Sequence, residues 1–116
     1  MIIVTRSFSK ELSDFDISIG GELVSLISKY DRGLSKNLLP LKKEGDLIIL
    51  KGYLNGKRIR VTIAKTTKSN YIPLEILKKE SRDGYNIRGT YNASNIVDRI
   101  NREIEMGQYE VWEMEK

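Results

Sequence analysis

Residues 46–65 read DLIILKGYLNGKRIRVTIAK, and this stretch decides the fold class. Ile59, Val61 and Ile63 alternate with Arg58, Arg60 and Thr62, the period of two that a half-buried strand requires. Leu47, Ile48, Ile49 and Leu50 form a strand-like run just before it. Between them stands Asn55-Gly56, a pair that readily takes the positive φ angles of a tight hairpin turn. The two runs are therefore predicted to pair antiparallel. A third run, residues 71–77, follows a turn at Lys68-Ser69-Asn70. Pro73 marks its early part as an edge or a bulge, because proline cannot donate to a ladder.

Outward from this meander the pattern changes period. Ile2, Ile3, Val4 and Thr5 are β-branched in succession and predict a first strand. Ser9 is placed to cap a short helical turn containing Leu12. Gly20-Gly21 reads as a break between helical pieces. Leu23, Leu26, Ile27 and Tyr30 then fall on one helical face, predicting a helix over about 22–32 that stops at Gly33. Residues 34–45, with Pro40, read as a connection, and residues 78–89 as a loop. Ile96, Val97, Ile100 and Ile104 make the stripe of a last helix that ends before Gly107. The expected fold is α+β: a small antiparallel sheet, formed by the first strand and the three-strand meander, with helices packed on one face. One domain is expected over residues 1–104, followed by an acidic tail, residues 105–116.

The chain has 116 residues and contains neither cysteine nor histidine. Disulfides, Cys/His zinc sites and histidine acid–base chemistry are thereby excluded. Asp14 and Asp16 are read as polar flanks of a helix, so no metal is expected. No apolar run approaches the roughly 18–20 residues of a membrane span. The N-terminus has no basic leader followed by an apolar core, so the cytoplasm is the expected location. The net charge of +4 is unevenly spread. Between residues 42 and 88 there are twelve basic groups against five acidic ones, whereas residues 103–116 hold five glutamates and one lysine. Tyr109, Val111, Trp112 and Met114 lie among those glutamates, so this tail either docks on the body or ends in solvent.

If Ile59, Val61 and Ile63 face the helices, then Arg58 and Arg60 face the other way, with Lys51 brought close across the hairpin. The basic segment adds Lys57, Lys78, Lys79 and Arg82, and Tyr85 follows them. Arginines bind phosphate oxygens bidentately and a tyrosine stacks on a base, so this surface fits a phosphodiester. A strand that alternates Arg and Thr is equally what a plain solvent-facing sheet shows.

The order of elements resembles the RelE/ParE superfamily of bacterial and archaeal toxins, over residues 1–104. The carrying segments are the first strand with Arg6-Ser7-Phe8-Ser9-Lys10-Glu11-Leu12, the strand pair within 41–61, residues 76–85 and the last helix. The resemblance to the ribonuclease branch implies metal-independent and cofactor-free cleavage of messenger RNA on the ribosome, within a type II toxin–antitoxin system. It implies catalytic roles for Lys51, Arg60, Arg82 and Tyr85, with Lys51 as a base. It implies RNA-binding roles for Lys57, Arg58, Lys78 and Lys79. The partners it implies are a cognate antitoxin, the ribosome and messenger RNA, with no membrane. The alternative is a non-enzymatic protein on the same scaffold, either a ParE-like gyrase-directed toxin or a nucleic-acid-binding phage or plasmid regulator.

Overall fold

The structure is a computed structural model that describes residues 1–78 and 93–116. In chain order the elements are β1 (Ile2–Thr5), α1 (Arg6–Leu12), α2 (Ser18–Asp31), β2 (Leu39–Glu44), β3 (Leu47–Leu54), β4 (Ile59–Lys65), β5 (Tyr71–Lys78), α3 (Ala93–Glu105) and β6 (Tyr109–Trp112). Among the described residues the strands form one six-stranded sheet in the order β2-β3-β4-β5-β1-β6. β2 to β5 make an antiparallel meander, β1 lies parallel to β5, and β6 is antiparallel to β1.

The fold class is α+β, with a mixed sheet of six strands rather than the small antiparallel sheet expected from sequence. Two strands account for the difference. Residues 39–44 form the edge strand β2, where a connection was expected. The ladder tolerates Pro40 because the register slips between Pro40 and Lys42. Residues 109–112 form β6 at the opposite edge, so the acidic tail is part of the sheet.

The helices also occupy both faces of the sheet, not one. α1 and α2 cover the face that carries Ile2, Val4, Leu50, Leu54, Ile59, Val61 and Ile63, with Phe8, Leu23 and Ile27 buried against them. α3 covers part of the other face, where Ile96, Val97 and Ile100 meet Ile49, Ala64, Ile72 and Leu74. A meander strand buried on both faces needs apolar groups at odd and even positions. β3 and β5 have them, which is why they read as continuous apolar runs.

Local chemistry accounts for the helix ends. Thr5, not Ser9, caps α1: its hydroxyl accepts from the Phe8 N–H at 3.4 Å. Gly20-Gly21 does not break the helix; α2 runs through it from Ser18. A Cβ at Gly20 would lie 3.7 Å from the Trp112 ring, an ordinary contact distance, so the helix packs closely on that ring at this point. α2 ends at Gly33 (φ +72°), where the Gly33 N–H donates to Tyr30 O and the Leu34 N–H donates to Lys29 O. The same left-handed cap recurs at Gly107 (φ +72°), with Gly107 N–H to Ile104 O and Gln108 N–H to Glu103 O. That second cap reverses the chain so that β6 reaches β1.

Beyond β6 the tail lies along α2. The Glu115 N–H donates to the Ser28 hydroxyl at 2.9 Å, and the Arg32 guanidinium donates to Glu115 O at 2.8 Å. Trp112 and Met114 pack on the core under α1 and α2. β6 is separated from β3 and β4 by β1 and β5, so the docked tail sits away from the basic strands.

Two core positions generate measurable consequences. A Cβ at Gly52 would lie 2.7 Å from Leu38 Cδ2, 3.1 Å from Asn37 O and 3.2 Å from Leu26 Cδ2. Gly52→Ala should therefore cost about 1–3 kcal/mol by overpacking, read as a lower urea midpoint with an unchanged slope.

The Tyr71 hydroxyl donates to Asp31 Oδ1 at 2.9 Å, and its buried ring meets Tyr30 edge-on at 6.4 Å. Burial, first, and then the Asp31 carboxylate push its ionisation well above the usual phenol range. An unfolded phenol ionises near pH 10, whereas the folded one keeps its proton to higher pH. The stability contributed by Tyr71 is thus full below about pH 10 and is lost as pH rises above it. An ultraviolet titration should show a late-ionising phenol coincident with alkaline unfolding, and Tyr71→Phe should remove that component.

Candidate functional site

The hairpin register places the functional side chains. β3 and β4 pair from Ile48–Lys65 through Leu54–Ile59, leaving residues 55–58 as the turn. Asn55, Gly56 and Lys57 all have positive φ, at 51°, 62° and 73°, and the Arg58 N–H closes the turn on Asn55 O at 3.2 Å. β4 therefore begins only at Ile59, and Lys57 and Arg58 belong to the turn.

Ile59, Val61 and Ile63 are buried under α1 and α2, as their period predicts. The intervening residues Arg60, Thr62 and Ala64 face the α3 side. Across β3, Tyr53 stands opposite Arg60, Lys51 opposite Thr62 and Ile49 opposite Ala64. Across β5, Leu77 stands opposite Arg60 and Glu75 opposite Thr62. One face of the sheet thus carries three rows: Ile49–Ala64–Ile72 beside α3, then Lys51–Thr62–Glu75, then Tyr53–Arg60–Leu77. Directly opposed residues in such rows have Cβ atoms about 4.5–5.5 Å apart, and diagonal neighbours are about 7–8 Å apart. Lys51, Tyr53, Arg60, Thr62 and Glu75 therefore share one patch of the α3-side face.

Burial separates these groups. Arg60 is only 9% exposed and Glu75 only 7%, whereas Lys51, Tyr53 and Thr62 are half-buried. Arg60 and Arg58 were expected to be exposed together on one face. The structure parts them: Arg60 is buried on the α3 side. Arg58 is exposed and lines a shallow depression of about 230 Å³ with Asp14, Phe15, Asp16 and Lys78. The late start of β4, at Ile59, removes Arg58 from the strand alternation. Lys78 is opposite Ile59, and its ammonium lies 5.7 Å from the Phe15 ring centroid, so it belongs to the α1/α2 side.

In the depression, the Asp16 carboxylate accepts from the Ser18 N–H at 3.0 Å, and this bond lowers its ionisation below the usual range. It serves the start of α2, the helix-flanking role expected of it. Among the described residues no group of three or more carboxylates is arranged to hold a metal ion. Among the same residues no helix is long and apolar enough to cross a membrane. Lys79, Arg82 and Tyr85 lie outside the described residues.

Of the expected residues, the sheet brings together Lys51 and Arg60 and sends Lys57, Arg58 and Lys78 elsewhere. It adds Tyr53, Thr62 and Glu75, which the sequence did not single out. Tyr53 was reachable from the register once the turn was known to be four residues long. Glu75 was not, because a bulge in β5 decides its side. Comparison with models of protein families, with curated proteins and with solved structures gave no match.

The burial contrast has a consequence for stability. Arg60→Ala removes a buried guanidinium from among groups that were satisfied in its presence and should cost about 1–3 kcal/mol. Arg58→Ala, at an exposed turn, should stay within about 0.5 kcal/mol of the parent. Chemical denaturation of the two variants measures the difference.

Proposed function

We propose that this chain is a RelE-like endoribonuclease, the toxin of a type II toxin–antitoxin system, acting on messenger RNA bound to the ribosome. The observation that carries this reading is the shared patch of Lys51, Tyr53 and Arg60 on paired strands of one sheet face. Cleavage of RNA needs no electron transfer. The 2′-hydroxyl attacks the adjacent phosphorus, and the extra negative charge of the five-coordinate state has to be stabilised. A guanidinium held by burial has few alternative orientations, so Arg60 offers its donors to that charge without reorganising. Lys51, in the neighbouring row, adds a second cation. Tyr53 brings a phenol ring beside them on which a base can stack, and each such base contact is worth about 1–3 kcal/mol.

The same chemistry accounts for the divided charge of the chain. Lysines and arginines concentrated between residues 42 and 88 attract the RNA backbone, and the attraction falls as salt rises. The antitoxin on this reading is a partner able to cover the patch, and the ribosome presents the substrate.

Incubation of the purified full chain with programmed, translating ribosomes tests the proposal. The parent should cut the message. Lys51→Ala and Arg60→Ala should lower the rate by about 100-fold or more, whereas Arg58→Ala should change it only a few-fold. Thermal midpoints of the variants separate loss of chemistry from loss of fold. Equal cleavage by parent, Lys51→Ala and Arg60→Ala would remove the patch from the mechanism. Growth arrest on expression with intact messages and induced DNA damage signalling would replace the ribonuclease by the gyrase-directed alternative.

A further inference from the structure

Among the described residues β6 closes one side of the sheet, and its outer edge is open. The Arg6 N–H donates to Gln108 O at 3.0 Å, and Thr5 stands opposite Tyr109. In an antiparallel ladder, bonded and unbonded pairs alternate. The bonded pairs are therefore Val4 with Glu110 and Ile2 with Trp112. Tyr109 and Val111 then turn their N–H and C=O groups outward, away from β1.

Both faces beside that edge are apolar. On the side of Ile2 and Val4, a groove runs between α1 and β6. It joins two depressions of about 440 and 480 Å³ that share Ser9. Arg6 and Glu110 line one end, and Leu12, Phe15, Ile17 and Trp112 line the other with Asp16. Ile17 is 97% exposed at the rim of this groove. On the α3 side Ile3 stands opposite Val111, and Val111 and Tyr109 are 49% and 42% exposed. Single exposed apolar residues are ordinary. Apolar surface on both sides of outward hydrogen-bonding groups is the arrangement that strand addition uses.

Charge selects the occupant. Glu110 and Glu113 are exposed on β6 and just beyond it, and Asp16 is ionised at the far end of the groove. Among the described residues Arg6 is the one cation that lines the groove. A second copy pairing through β6 would set glutamates against glutamates, which like charge opposes. A basic chain meets the opposite field.

We propose that the β6 edge binds an extended, basic segment of a partner protein by strand addition. Its backbone pairs with the outward groups of Tyr109 and Val111. Alternate side chains enter the groove of Leu12, Ile17 and Trp112, and the others cover Val111 and Tyr109. Its lysines or arginines face Glu110, Glu113 and Asp16. β1 and β5 separate this edge from Lys51 and Arg60, so the surface is independent of the ribonuclease reading.

The test titrates the full chain with a short blocked peptide of alternating lysine and valine, and with its glutamate–valine counterpart. Trp112 is the only tryptophan, so its fluorescence reports the groove directly. The basic peptide should shift that emission to the blue and slow amide exchange at Tyr109 and Val111. The acidic peptide should bind about tenfold more weakly or worse, and the difference should shrink as salt rises. Val111→Pro removes an outward donor while sparing the ladder to β1, and should weaken the basic peptide about tenfold with the fold intact. Ile17→Ser, at a fully exposed position, should weaken it several-fold without lowering the thermal midpoint. Absence of binding by the basic peptide overturns the proposal. Equal binding of the two peptides does so as well, as does parental affinity in both folded variants. A free chain that dimerises with protected Tyr109 and Val111 amides also overturns it, because the edge is then an interface between copies.

Discussion

A β-strand has two faces and a fixed alternation between them, and β4 must satisfy both. Its odd-numbered residues Ile59, Val61 and Ile63 fill the core beneath α1 and α2, which leaves Arg60, Thr62 and Ala64 on the opposite side. A slip of one residue would drive Arg60 into the main core and expose three branched side chains, so the register is strongly held. The four-residue turn at residues 55–58 sets that register on one side of β4. On the other side the bulge at Leu74 corrects it. Among the described residues, Tyr53, Thr62 and Glu75 come beside Arg60 through these two devices.

The division of the second face follows as well. Near β1 and β5 it is apolar, and α3 covers it with Ile96, Val97 and Ile100. Farther along the same strands the rows turn polar, with Lys51, Thr62 and Glu75 and then Tyr53 and Arg60. α1 supports this arrangement from the side. β1 ends at Thr5, so among the described residues the outer edge of β5 runs on without a strand partner, and Glu11 of α1 accepts the Ile76 N–H at 3.4 Å. Glu103 of α3 in turn accepts from the N–H and hydroxyl of Ser7, tying α3 to the start of α1. A helix that continues a short strand thus completes an edge that the strand leaves open.

The two outer strands carry charges of opposite sign. β2 presents Lys42 and Lys43 with Pro40 and a bulge, and β6 presents Glu110. At β2, proline and charge keep an exposed strand from recruiting another chain. The acidic tail finds its place without matching the basic strands. Trp112 and Met114 bury apolar surface, and backbone hydrogen bonds to β1 supply direction. Exposed ion pairs contribute only about 0–1 kcal/mol each, too little to have drawn the tail across the sheet to β3 and β4.

Local pattern by itself determined the hairpin of β3 and β4, the burial of Ile59, Val61 and Ile63, the apolar stripe of α3 and the glycine stops of α2 and α3. Each depends on residues within a turn or two of one another, so neighbouring side chains suffice to specify it. Tertiary structure alone decided that α3 lies on the second face, that residues 39–44 and 109–112 are edge strands, and that Gly20 sits inside a helix. In those places a partner distant in sequence supplies the hydrogen bonds or the contact: β3 for β2, β1 for β6, and Ile49, Ala64 and Ile72 for α3. The patch divides in the same way. Lys51 and Arg60 were legible because one hairpin joins them. Tyr53 was concealed by the turn length, and Glu75 by a bulge whose side is chosen only when β5 packs between two layers of helices.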